Sequence, residues 1–147
     1  MRITYETDVV AWSREQSKLL RSGQLADLDL EHIAEEIEDV GRSEQRELAH
    51  RMTALLTHFL LWEFQPDHRC PGWEAAIYAG RNSTERRIHK APSLSKSLLD
   101  ADWCADAWED AVAAASKETG MAYADLPDRS PWSHEQLMDR HFLPGQR

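Results

Sequence analysis

Between Asp29 and Pro66 one apolar stripe runs almost without interruption. Leu30, Ile33, Ile37, Val40, Leu48, Met52, Leu55, Phe59 and Trp62 recur at spacings of three and four. Only a helix brings residues so spaced to one face. Asp29 stands where an N-cap belongs, and Pro66 ends the pattern. The single gap, from Val40 to Leu48, puts Glu44 on the stripe. A helix of about 35 residues extends ~50 Å. Such a rod is too long for a compact domain of this size unless it bends or reaches into a partner. Gly41 marks the bending point, or else a close helix crossing.

The rest of the chain reads as helix too. A first helix is predicted from about Asp8 to Arg21, capped by Thr7 and stopped by Gly23 in a left-handed conformation. Val9, Trp12, Gln16 and Leu19 lie near one face of it. A third helix is predicted from Gly72 to Lys90, with Trp73, Ile77, Gly80, Thr84 and Ile88 on one face, and Pro92 breaks it. A fourth starts near Ser93 or Ser95 and ends at Gly120, carrying Leu98, Ala101, Ala105, Trp108, Val112 and Ala115. Ser133 and Gln136 form a capping box ahead of a short last helix. Leu137, Phe142 and Leu143 offer apolar anchors for docking it back. Val, Ile and Thr never alternate with polar residues, so no strand is predicted. The expected fold is all-α: an antiparallel bundle of four main helices with a short C-terminal helix, one domain over 1–147.

At 147 residues, 41% hydrophobic and 29% charged, the chain can bury one core without metal or disulfide staples. A formal net charge of −9 opposes general nucleic-acid binding and docking on anionic membranes. Cys70 and Cys104 show no metal-ligand spacing, and the N-terminal stretch has no signal-peptide core. No apolar run approaches the roughly 20 residues that span a bilayer. The expected setting is the cytoplasm, with reduced thiols.

Several strings, taken in order, resemble one family. They are Tyr5-Glu6-Thr7-Asp8 with Trp12, Leu28-Asp29, Ala34-Glu35-Glu36-Ile37-Glu38, and Gly41-Arg42-Ser43-Glu44. Leu55-Leu56-Thr57-His58-Phe59-Leu60 with Trp62, Gln65-Pro66, Trp73, Glu118-Thr119-Gly120 and Phe142-Leu143-Pro144 complete the set. Together they resemble domain of unknown function family 29, over nearly the whole chain. The resemblance implies a helical bundle and a bacterial origin. It supplies no activity, substrate or catalytic residue. Where the family pattern carries a Lys before the Trp, this chain has Leu61, so a role carried by a cation there does not transfer.

The polar residues on the long helix form the main candidate site. At about 100° per residue, Glu44 and Arg51 fall among the apolar positions, and Glu47 and His58 share the edge of Val40. A polar seam of Glu44, Glu47, Arg51 and His58 could bind a small anion or metal inside the bundle, with Thr84 and Arg87 facing it. The plainer alternative is structural: Glu47–Arg51 is an i,i+4 pair, Glu44 pairs with another Arg, and His58 bonds a carbonyl. Glu47 and His50 have di-iron ExxH spacing, but such sites need the motif on two helices. His68, Cys70 and His89 lack zinc spacing. Cys70 sits in no nucleophile elbow.

Two charged stretches are also candidates. Asp29, Glu31, Glu35, Glu36, Glu38 and Asp39 make the start of the long helix acidic, which suits the helix dipole or a basic partner. Arg81, Arg86 and Arg87, with His89 and Lys90, make a basic face on the third helix. No coherent catalytic set and no cofactor signal emerge. The reading is a non-enzymatic cytoplasmic interaction module that binds a protein partner, of which a second copy is one form. The alternative is a small-ligand or metal-binding protein that uses the seam.

Overall fold

The computed structural model describes residues 3–145. Among the described residues every regular element is helical. The α-helices are α1 (Val9–Ser22), α2 (Leu30–Phe64), α3 (Pro71–Lys90), α4 (Ala101–Thr119) and α5 (His134–Met138). Short 3-10 turns join them at Leu25–Asp27, Pro66–His68, Pro92–Leu99 and Tyr123–Asp125. The all-α expectation holds.

The helix ends follow local chemistry, with two corrections. α1 is capped by Asp8 and not by Thr7. The Asp8 carboxylate accepts from Ala11 N at 3.0 Å, while the backbone N of Thr4 donates to the Thr7 hydroxyl at 3.1 Å. The start of α4 also shifts. Ser93 and Ser95 lie in the 3-10 turn, and Asp100 is the cap, accepting from Trp103 N at 2.9 Å. Gly23 and Gly120 end α1 and α4 at φ 74° and 76°, left-handed values that cost a residue with a Cβ. The capping box at α5 is complete, with Ser133 Oγ accepting from Gln136 N and Ser133 N donating to Gln136 Oε1. α2 runs through Gly41 without a break, and a Cβ there would meet nothing within 4 Å, so Gly41 marks no close crossing.

The residues group into two compact units, one through Ser43 and one from Glu44 onward. In the N-terminal unit, Trp12 and Gln16 are the buried residues of α1. Trp12 Nε1 donates to Asp29 Oδ2 at 2.9 Å, and the Asp29 backbone N donates to Gln16 Oε1 at 2.8 Å. These bonds tie α1 to the start of α2.

The C-terminal unit holds the core. Met52, Leu55, Leu56 and Phe59 from α2 pack with Ile77 from α3, Trp108 and Ala111 from α4, and Trp132 and Leu137 near the chain end. Gly80 lets α3 come close to α2, since a Cβ there would sit 3.4 Å from Leu55 Cδ1. Trp132 stands edge-on to Phe59 and to Trp108, at ring distances of 5.2 and 5.9 Å. Phe142 and Leu143 pack against this core, as their apolar character predicts. Leu61 is fully buried. No helix among the described residues is long and apolar enough to cross a membrane.

Candidate functional site

The polar seam of α2 is joined to α3 by one guanidinium. Arg87 reaches Glu44 at 3.2 Å and Glu47 at 3.4 Å, and Glu47 also holds Arg51 at 3.0 Å. His58 stands apart, its Nδ1 2.8 Å from the Ala54 carbonyl. Thr84 is fully buried and donates to Gly80 O at 2.8 Å, so its hydroxyl does not face the seam. Each charge in the seam has a partner within it. These part-exposed pairs stabilise little, by about 0–1 kcal/mol each. Among the described residues no group of three or more His, Cys, Asp or Glu could hold a metal ion.

The three arginines predicted on α3 do not share a face. Arg81 is 3% exposed, and burial works against its charge while Asp139 supports it. Its Nε donates to Leu137 O at 2.6 Å, and its Nη2 donates to Gln136 O at 3.2 Å and Phe142 O at 2.7 Å. It also lies over the Phe59 ring at 5.2 Å. Arg87 is spent on Glu44 and Glu47, and Arg86 remains exposed. Near Cys70, Arg69 turns away to donate to Trp62 O at 2.6 Å.

The densest polar cluster lies in the N-terminal unit. His32 Nδ1 is 2.7 Å from Asp29 Oδ2, and its Nε2 is 3.2 Å from Glu6 Oε1. The Tyr5 ring stacks on His32 at 4.3 Å and meets Trp12 edge-on at 5.0 Å. The Tyr5 hydroxyl donates to Glu36 Oε1 at 2.6 Å. That bond, with burial and the charge of Glu36, pushes the phenol up to about 12. Burial alone would raise Asp29, but hydrogen bonds from His32 and the Trp12 indole outweigh it and hold the carboxyl below its ordinary range. The bond to Asp29 raises His32 against the opposing effect of burial, and the Glu6 charge adds to the rise. All of these residues are engaged with one another. The cluster fastens the segment before α1 and the start of α2 together.

What that fastening leaves uncovered is an apolar side of the α1–α2 pair. Leu30, Ile37 and Val40 are 68%, 68% and 67% exposed, and Ile33 between them is half-buried. Val9 and Leu20 of α1 are exposed as well. At about 100° per residue, Val9 and Leu20 lie to one side of the buried Trp12–Gln16 line. On α2 the stripe lies to one side of Asp29, His32 and Glu36, which face the fastening cluster. For two antiparallel helices these are the same side of the pair. Ala34 and Gly41 adjoin the stripe, and both are small.

Residues 4–143 match the family model described as Domain of unknown function DUF29. The chain belongs to this family. No curated protein and no solved structure matches it. In this DUF29 chain the strings that carried the family resemblance supply Tyr5, Glu6, Trp12, Asp29 and Glu36, which are residues of the fastening cluster. Sequence reasoning missed the cluster because its members come from three separate segments. The signal available to it was chemical: Tyr, Trp, His and paired carboxylates crowd into the first 36 positions. It did register the apolar stripe, and left open whether the rod bends or reaches into a partner.

Proposed function

We propose that this DUF29 chain is a non-enzymatic interaction module of the cytoplasm, docking a protein partner on the apolar side of its α1–α2 hairpin. The observation that carries the reading is the exposure of Leu30, Ile37 and Val40, three aliphatic side chains at helical spacing and each about two-thirds open to solvent. A contiguous apolar stripe of this kind is characteristic of a helix that meets another helix. The fastening cluster supports the reading, because Tyr5, Trp12, Asp29 and His32 hold α1 and α2 in register and so present one side for docking. The seam supports it too, since Glu44, Glu47 and Arg51 are satisfied through Arg87 and one another. The unpaired thiols of Cys70 and Cys104 accord with a reducing compartment.

A photo-crosslinking residue placed at position 37 in expressing cells tests this. A discrete crosslinked product is expected, absent when the same residue replaces exposed Asp106 and abolished when Val40→Glu is added. Position 37 giving no more product than position 106 would overturn the reading.

A further inference from the structure

We infer that the groove between α4 and the segment before α5 is a second docking site, which takes a short protein segment carrying a leucine-sized residue beside a basic one. This site lies in the C-terminal unit and does not rest on the docking reading above. One tryptophan creates the groove by holding both ends of the segment. Trp108 Nε1 donates to Pro127 O at 3.0 Å, and the Trp108 ring meets Trp132 edge-on at 5.9 Å. Between these anchors Asp128, Arg129 and Ser130 line one wall of a groove of about 460 Å³. Ala101 and Ala105 of α4 line it too, and their small, exposed side chains leave it room.

At one end the groove shares Cys104 and Ser130 with a cavity of about 120 Å³, whose apolar walls are Met52, Leu56, Leu98, Trp103, Trp132 and Leu137. Both shared polar groups are committed to the main chain. Cys104 Sγ donates to Leu98 O at 3.3 Å, and Ser130 Oγ donates to Trp132 O at 3.0 Å. The third polar residue of the lining, His134, is exposed to solvent. A buried water needs two to four polar partners, whereas an apolar cavity of about 150 Å³ takes up benzene. The cavity therefore suits one apolar side chain of about leucine size. At its other end the groove shares Trp108, Glu109 and Asp128 with a space of about 380 Å³ that is also lined by Val112, Pro127 and the exposed Tyr123. In the middle Asp102, Glu109 and Asp128 outnumber Arg129, and among the described residues none of the four enters an ion pair. Apolar, acidic and apolar compartments in a row call for three kinds of side chain in a row, which a polypeptide supplies. The enclosed end anchors it, and the acidic middle selects a basic residue over an acidic one.

NMR titration of the isotope-labelled full chain with two probe peptides tests this. They are acetyl-Leu-Arg-Arg-Tyr-amide and, for the opposite chain direction, acetyl-Tyr-Arg-Arg-Leu-amide. At least one is expected to shift the indole N–H signals of Trp103 and Trp132. Replacing its Leu by Gly, or its two Arg by Glu, should weaken binding at least about tenfold. The variant Glu109→Lys/Asp128→Lys, changed at two exposed positions, should turn the preference toward the Glu peptide. Ala105→Phe should fill the groove and abolish binding, with circular dichroism confirming that each variant is folded. The peptide substitutions need no protein variant and decide the matter if either variant does not fold. Indoles that neither peptide shifts at millimolar concentration, or binding indifferent to these changes, would overturn the proposal. So would isoamylamine, a branched aliphatic group and a cation alone, if it bound as tightly as the better peptide, because the occupant would then be a small amine.

Discussion

Protonated, the His32 imidazolium donates to Asp29 and Glu6 at once; neutral, it can donate to only one of them. The sign of the pH effect follows. The His32 pKa is raised, so its contribution to the fastening is complete below 6.5 and is lost as pH rises through the raised value. The Asp29 pKa is lowered, so its contribution is complete above 3.8 and is lost as pH falls through the lowered value. The N-terminal hairpin is therefore most firmly held between those two values. In an NMR titration the His32 ring should show a midpoint above 6.5, and Asp29→Asn should bring it down. A midpoint that the substitution leaves in place would break the link between the two groups.

At the scale of elements, the caps separate what composition can say from what geometry decides. Replacing Asp100 by Ala should cost about 1 kcal/mol, the usual value of an N-cap. Ser93→Ala and Ser95→Ala should each cost a few tenths at most, measured by urea unfolding. Equal costs at all three positions would move the start of α4 back to where the serines suggested. The helices themselves were legible because residues such as Leu48, Met52, Leu55 and Phe59 carry an unambiguous 3.6-residue period. Their ends were less so, because Thr7 and Asp8 are both good caps and adjacent, and only the backbone path decides between them. Arg81 read as a surface cation because sequence does not show the carbonyls that receive it, whereas Arg87 read both as part of the basic face and as a residue facing the seam, and it is the seam that holds it. The hairpin's apolar side was legible as a stripe, but no pattern distinguishes a stripe covered within the chain from one left open. The fastening cluster is long-range, with Tyr5 meeting Glu36 and Trp12 meeting Asp29, and periodicity is silent on such contacts.

Across the molecule, burial is uneven. The unit from Glu44 onward contains the fully buried Leu48, Phe59, Ile77 and Ala111, whereas Trp12 and Gln16 are the buried residues of α1. Local opening costs least where few apolar contacts hold an element. Amides of α1 are accordingly expected to exchange with solvent at least about tenfold faster than those of α3, measured by hydrogen exchange on the full chain. Equal protection of α1 and α3 would show that the hairpin is held more strongly than its burial implies. The chain end is secured differently. The acceptors of Arg81 at Leu137, Gln136 and Phe142 are all main-chain oxygens. Mutation cannot delete a main-chain oxygen, and acid does not protonate it in the range where carboxylates fail. As far as this clasp goes, the side chains at 136, 137 and 142 are free to diverge among descendants of the sequence. Position 81 must stay arginine, because lysine offers no planar fork to reach all three.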